Sequence, residues 1–260
     1  MNGKRFFSTL VVAGATTSCV SSPLVERARF VEDSVGRTSE EDWKGEKIAI
    51  ELDGAGKGSA GALEIVIDAQ TTRVYAVARF VAVADAEDKP SADRSIDEAK
   101  KTYQITTSGD TIRVVCRHGQ AAGSSAAEDS GCETLSVFVP AGDAARPVAL
   151  SARATQGTIL VAAGGATLRE LELRAERGGI DATVATAAGA KISAIAETGD
   201  VVARVPPDFA ADVVTLSAPG KIDASAFPDV ESGRGRGPQG LGARAIELVS
   251  RDGSVTLASR

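Results

Sequence analysis

The fold is decided by a repeated unit whose clearest copy, at residues 171–184, reads LELRAERGGIDATV. Leu171 and Leu173 alternate with charged residues, which is the two-residue period of a strand with one buried face. A turn with two glycines follows, and Ile180 and Ala182 then begin a second alternation. The unit therefore predicts a strand, a glycine turn and another strand.

This unit recurs along the chain. The turn glycines fall 21 residues apart at Gly157, Gly178, Gly199 and Gly220, and a fifth copy at Gly253 follows 33 residues later. An aliphatic residue precedes each glycine by seven positions, and Ile or Val follows each by two. Repeats of this length are typical of stacked β-structure, and glycine at each turn predicts a positive φ angle there.

We therefore predict an all-β fold. Residues 149–260 are expected to form a repetitive, β-solenoid-like part, either a right-handed parallel β-helix or a roll. Residues 43–148 are expected to form a more irregular, β-rich part. We expect residues 43–260 as a whole to form one continuous domain. The alternative is a β-sandwich of hairpins. Within the N-terminal part we expect a hairpin loop between Leu52 and Leu63, and a short helix in residues 91–101 capped by Ser95.

The N-terminus has the pattern of an export signal. Two basic residues precede a short apolar stretch that cannot span a bilayer as a helix, so residues 1–18 predict a signal peptide. The sequence TTSC at residues 16–19 resembles the lipobox of bacterial lipoproteins, which implies a lipid on Cys19, although Thr16 stands where leucine is usual. Residues 19–42 are then the lipidated cysteine and a tether with a short helical turn at residues 25–31. Ordinary secretion is the alternative.

Cys116 and Cys132 lie on either side of a loop rich in Gly, Ala and Ser. In an exported chain such a pair predicts a disulfide. The alternative is a metal pair, but His118 alone lies nearby and a structural zinc site needs four ligands. We therefore predict neither a metal nor a cofactor.

The composition limits the functions that fit this chain. A net charge of −6 and the lack of a basic patch argue against nucleic-acid binding. The single histidine, His118, and the absence of a nucleophile elbow argue against a hydrolase triad. Aromatic residues are 4% of the chain, so the core must be aliphatic and aromatic platforms for sugar rings are scarce. Trp43, Tyr75 and Tyr103 are its only tryptophan and tyrosines.

Several motifs carry a family resemblance. A tryptophan precedes the first repeat-like strand, Val-Pro segments occur at residues 138–140 and 204–206, and the turns read ETGDV at residues 197–201 and RDGSV at residues 251–255. Together they resemble a bacterial family of β-strand-repeat proteins described as putative adhesins, over residues 43–260. The resemblance implies an envelope or secreted protein, and it carries over no catalytic residues.

We therefore expect a non-catalytic lipoprotein anchored in the cell envelope, at the outer membrane or cell surface, that acts in adhesion or envelope scaffolding; secreted or periplasmic location is the alternative. Its partners would be the membrane and an envelope protein or polysaccharide. The contact face would consist of outward residues that differ between repeats, namely Arg153, Glu172, Arg174, Lys191 and Arg204.

The alternative function is that of a polysaccharide-active β-helix enzyme. Asp181 and Asp223 lie three residues beyond their turn glycines, which places them in the same register. Two coils of separation would put them about 10 Å apart. That is wide for the carboxylate pair of a retaining glycosidase and marginal for that of an inverting one.

Overall fold

The computed structural model describes residues 27–31, 34–53, 61–117, 130–184, 190–207, 213–227, 230 and 245–260. In these residues eighteen strands form two mixed sheets, beside one helix, α1 (Lys89–Thr102). This confirms the all-β prediction.

Sheet A contains β1 (Arg27–Val31), β2 (Val35–Thr38), β4 (Ala62–Asp68), β5 (Tyr75–Asp85), β8 (Gly131–Pro140), β10 (Thr158–Ala163), β12 (Ile180–Val184), β14 (Val201–Val205), β16 (Ile222–Asp223) and β18 (Val255–Ser259). Sheet B contains β3 (Lys47–Leu52), β6 (Gln104–Ser108), β7 (Thr111–Cys116), β9 (Val148–Ala154), β11 (Leu168–Ala175), β13 (Lys191–Ala196), β15 (Val213–Ser217) and β17 (Ala245–Ser250).

The two strands of each repeat unit lie in different sheets. Odd-numbered strands from β9 to β17 belong to sheet B and even-numbered strands from β10 to β18 belong to sheet A. Each strand pairs in parallel with the equivalent strand of a neighbouring unit, so that Ile159 lies beside Ile180, and Ile180 beside Val201. The alternative of hairpins is therefore wrong for these units. The hairpin predicted between Leu52 and Leu63 is also wrong, because β3 and β4 lie in different sheets.

The units do not stack in chain order. The last two strands, β17 and β18, lie between β13 and β14 on one side and β15 and β16 on the other. At the opposite end β3 and β4 lie between β7 and β8 on one side and β9 and β10 on the other. As a result Asp223 pairs with Thr256 and not with β14, where a sequential stack would have placed it.

The core lies between the two sheets and is mainly aliphatic. Successive side chains of a strand point to opposite faces, and the inward ones are buried. In β11 these are Leu171 and Leu173, and in β12 they are Ile180 and Ala182. Equivalent inward positions of the other units join the same hydrophobic cluster. Burying a Leu or Ile side chain contributes roughly 1.5–3 kcal/mol, so the repeated pattern is itself the main source of stability.

The turn glycines form a column along the stack, called here the glycine column, whose spatial order is Gly61, Gly157, Gly178, Gly199, Gly253 and Gly220. At Gly199 a Cβ atom would lie 2.8 Å from the carbonyl carbon of Gly178, and at Gly253 it would lie 2.5 Å from the oxygen of Gly199. Positive φ angles occur at Gly157, Gly178 and Gly199. The left-handed turns predicted at Gly220 and Gly253 are wrong; close backbone contact, not φ, requires glycine at both positions.

Antiparallel strands and the helix cover the N-terminal end of the stack. β5 runs antiparallel to β8, and β1 and β2 pair with the outer edge of β5. The helical turn predicted at residues 25–31 is therefore wrong from Arg27 onward. Helix α1 begins after Asp88, whose carboxylate accepts a hydrogen bond from the Ser91 amide at 3.2 Å. The predicted cap, Ser95, is instead buried within the helix.

Tyr103 connects this helical end to the core, and its effect on stability should depend on pH. Its hydroxyl donates a hydrogen bond of 2.6 Å to the carbonyl of Ala76, and the side chain is fully buried. Burial raises the pKa of Tyr103 well above 10, against a smaller opposing effect of Arg37. Tyr103→Phe should cost about 1 kcal/mol at pH 7.

The same pKa shift makes Tyr103 destabilising at high pH. The Tyr103 hydroxyl ionises near pH 10 in the unfolded chain and at a higher pH in the folded chain. Its contribution to the free energy of unfolding is therefore present below pH 10 and is lost as the pH rises further. Urea unfolding of parent and Tyr103→Phe at pH 8 and 11 should therefore show a smaller difference at pH 11. An equal difference at both values would contradict this account.

Candidate functional site

The outward charges of sheet B are paired between neighbouring strands. Parallel register places Arg153 directly beside Arg174, and like charges there would repel. The neutralising carboxylates come from the turns that follow: Arg153 bonds Glu176, and Arg174 lies 2.9 Å from Glu197. Arg251 bonds Glu197 from the other side at 3.1 Å. The ion pairs thus form a ladder across the units.

A second ladder on the same face is also balanced. Lys47 and Lys191 lie within 3.5–3.8 Å of Glu170 and Glu172, which stand between them. A shallow cavity of about 300 Å³ opens over this surface, with Ser151, Arg153, Glu172, Arg174 and Ser193 among its lining residues. Four of the five predicted contact residues lie on this face. Since all four are paired with side chains of opposite charge, they offer no free charge to select a charged ligand.

Because these pairs are exposed, their removal should have little effect on stability. The side chain of Arg174 is 55% exposed, and exposed ion pairs typically contribute no more than about 1 kcal/mol. We expect Arg174→Ala to change the free energy of unfolding by less than about 1 kcal/mol. Urea unfolding at low and high salt measures this, and a loss of several kcal/mol would mean that the ladder stabilises the fold.

A further cavity, of about 630 Å³, lies among α1, β6 and β7. Lys101, Arg113 and Arg117 line it together with Glu98. Lys101 is paired with Glu98 at 2.5 Å, and Arg117 with Glu51 at 3.0 Å. The two signs of charge are mixed here as well, so the cavity does not define a binding site for an anion.

The outer face of sheet A differs, because it carries an apolar strip. Register places Tyr75, Phe138, Val66 and Ala162 side by side on four adjacent strands, and Leu160 lies two residues before Ala162 on the same face. We call these five residues the apolar strip. Tyr75 and Leu160 are 38% and 39% exposed.

The aromatic rings of the strip stack on each other. The centroids of Tyr75 and Phe138 are 5.7 Å apart and their planes differ by 30°. Leu135, Val137 and Val139 of β8 point inward, so alternation leaves Phe138 outside. This pair was not predicted from the sequence, in which Phe138 was considered only as part of a Val-Pro segment. The alternation of apolar residues in β8 was the signal that would have identified it.

The strip lies in acidic surroundings. Its central strands β4, β8 and β10 contain no lysine or arginine. Glu64 and Asp68 lie two residues on either side of Val66, on the same outward face of β4. The hydroxyl of Ser136 donates a 3.0 Å hydrogen bond to Glu64 Oε2. Arg204, the one predicted contact residue on this sheet, is paired with Asp181 further along the row.

The two cysteines of the described region join the sheets. Cys116 of β7 and Cys132 of β8 form a disulfide with a Cα–Cα distance of 6.0 Å, and both are fully buried. Within the residues that the structure describes, no group of three or more His, Cys, Asp or Glu is arranged to hold a metal ion. Cys19 and His118 lie outside the described residues.

Asp181 and Asp223 do not form a pair. β14 and β18 both lie between their strands, so the carboxylates are three strand spacings apart, about 14 Å, and not two as predicted. This distance exceeds the range of both retaining and inverting glycosidases. Lys221 and Ser225 bond Asp223 and hold the pKa of that carboxyl well below its usual range.

Comparisons with known proteins yield structural similarity alone. No protein-family model and no curated protein matches the chain. A solved structure from Clostridium sporogenes, described as a "putative cell adhesion protein", matches with a TM-score of 0.60 at 12% identity, over 88% of this chain and all of the other. A "putative adhesin" from Bacteroides fragilis matches with a TM-score of 0.30 at 11% identity, over 88% of this chain and 98% of the other. The similarity to the Clostridium protein establishes a shared fold.

No helix within the described ranges is long and apolar enough to cross a bilayer.

Proposed function

We propose that this chain is a non-catalytic, adhesin-like protein that binds an extended partner through the outer face of sheet A. The apolar strip is the observation that carries the proposal, because exposed contiguous apolar surface marks sites of interaction. The name of the Clostridium protein, which refers to cell adhesion, agrees with this role. The wide separation and the ion pairing of Asp181 and Asp223 favour binding over polysaccharide cleavage.

We further propose that the repeat units form a β-solenoid. Alternation of strands between two sheets and parallel pairing of equivalent strands support this architecture. Such a stack presents long, regular outer faces, which suit extended contact better than an enclosed ligand site does.

For location, we propose an exported protein held in the cell envelope, at the outer membrane or cell surface, by a lipid on Cys19. The n-region, short apolar stretch and TTSC sequence support this proposal. Metabolic labelling with palmitate should mark the parent and leave Cys19→Ser unlabelled. Equal labelling of the two proteins would rule out lipidation at this residue.

The binding proposal is tested by matched variants on the two faces. Tyr75→Ser with Leu160→Ser removes apolar surface from sheet A, while Ile195→Ser with Val249→Ser removes it from neighbouring strands of sheet B. We expect binding of the full-length protein to bacterial envelope fragments to fall at least about tenfold in the first variant only. Equal binding by the parent and both variants, with unchanged melting temperatures, would place the contact elsewhere.

A further inference from the structure

We propose that the apolar strip binds an uncharged polysaccharide by stacking sugar rings on Tyr75 and Phe138. The inference rests on the proposed binding function and adds the chemical class of the partner. Three properties of the strip carry it: an aromatic pair of which Tyr75 is exposed and Phe138 half-buried, hydrogen-bonding groups beside that pair, and the sign of the surrounding charge.

The aromatic pair provides the stacking surface. Tyr75 and Phe138 are tilted by only 30° and adjoin Val66 and Ala162, so together they form a shallow apolar surface across four strands. Four strands span about 14 Å, which accommodates a few consecutive sugar rings. The apolar face of a pyranose ring packs on an aromatic ring through its C–H groups, and the electron-rich ring face favours that contact.

Hydroxyl groups of the sugar find acceptors next to the rings. Ser136 precedes Phe138 by two residues on the same face and holds Glu64 Oε2 at 3.0 Å. This hydrogen bond fixes the carboxylate. Oε1 accepts no hydrogen bond from the part of the chain that the structure describes, so it can accept one from a sugar hydroxyl. Asp68 offers a second carboxylate on the opposite side of Val66. Hydrogen bonds to charged acceptors are the stronger kind.

The charge of the surroundings excludes acidic polymers. Glu64 and Asp68 flank the strip on β4. Two cations on this face, Arg79 of β5 and Arg204 of β14, are each paired with another carboxylate, Glu133 and Asp181, and do not offset these two. A polyanion laid along the strip would meet unbalanced like charge, which is a repulsive element that favours uncharged partners. The same two carboxylates do not form a catalytic pair, because four residues of one strand separate them by about 13 Å.

The test separates stacking from simple apolar docking. The full-length parent is run through native gels that contain dextran, mannan, galactan or xylan, which are neutral, or alginate or polygalacturonate, which are acidic. We expect at least one neutral polymer to retard the parent and the acidic polymers to leave its migration unchanged. Retardation by the acidic polymers alone, or by none of the six, would overturn the inference.

Three variants then assign the contact. Tyr75→Phe keeps the ring and should keep the retardation within about twofold in apparent Kd. Tyr75→Leu and Phe138→Leu keep apolar surface but lose a ring, and each should weaken binding about tenfold or more. Full retardation in both leucine variants would overturn the stacking role. If the leucine variants lose binding to envelope fragments and no neutral polymer retards the parent, the binding function stands and this inference fails.

Discussion

Gly178→Ala is expected to destabilise the protein by about 2–5 kcal/mol, the largest effect that we predict for a single methyl group. Two costs combine at this position. The φ angle of Gly178 is +135°, a region that residues with a Cβ rarely adopt. In addition the new methyl group would overlap the backbone carbonyl of Gly157 in the neighbouring turn, and overpacking typically costs 1–3 kcal/mol.

The chain contains glycines that separate these two costs. Gly165 has a φ of +77° but open space around it, so Gly165→Ala measures the conformational cost alone, about 1–2 kcal/mol. Gly253 has no positive φ but a Cβ there would lie 2.5 Å from the Gly199 oxygen, so Gly253→Ala measures the cost of contact. Gly164 has neither feature, and Gly164→Ala should be nearly neutral.

Differential scanning calorimetry or urea unfolding of these four variants gives the test. We expect Gly178→Ala to be the least stable, Gly165→Ala and Gly253→Ala to be intermediate, and Gly164→Ala to match the parent. If Gly178→Ala and Gly164→Ala have the same melting temperature, the glycine column does not set the spacing of the units.

Removal of the disulfide should produce the second large effect. Cys116 and Cys132 are 16 residues apart and join β7 of sheet B to β8 of sheet A. On the chain-entropy model, closing a loop of this length stabilises the folded state by about 3 kcal/mol. We therefore expect Cys116→Ala with Cys132→Ala to lower the free energy of unfolding, measured by urea titration, by about 3 kcal/mol. Alanine avoids leaving a new polar group in a site that is fully buried.

Reduction provides the control for this variant. Dithiothreitol should destabilise the parent to about the level of the double alanine variant and leave the variant itself unchanged. Equal stability of the oxidised parent and the variant would mean that the sheets hold this end of the stack together without the covalent link.

The strands and turns of the repeat units were predictable because the residues that determine them lie within each unit. Alternation in residues 171–184 assigned which side chains face the core, and the glycine spacing assigned the turns. What the pattern leaves open is which unit stacks on which. Since every unit presents the same inward positions and the same turn glycine, β17 pairs with β13 as readily as β15 would. Chain order therefore failed to predict the neighbours of Asp223.

The candidate site was only partly predictable. The sequence identified Arg153, Glu172, Arg174 and Lys191 as outward residues, but their pairing partners depend on the register between units, which no single unit specifies. The aromatic pair was harder to predict, because Tyr75 and Phe138 come from strands that are far apart in sequence and meet only through β5–β8 pairing. The low aromatic content indicated only that stacking platforms are scarce, and two rings suffice to form one.

The central claim, that the protein binds an extended partner without cleaving it, is tested most directly by light scattering coupled to size-exclusion chromatography. Full-length protein is incubated with neutral and acidic polysaccharides, and the molar mass of each polymer is followed over time. We predict that the protein co-elutes with a polymer whose mass stays constant. A falling polymer mass in the parent, abolished by Asp181→Asn or Asp223→Asn, would contradict the account and identify an enzyme.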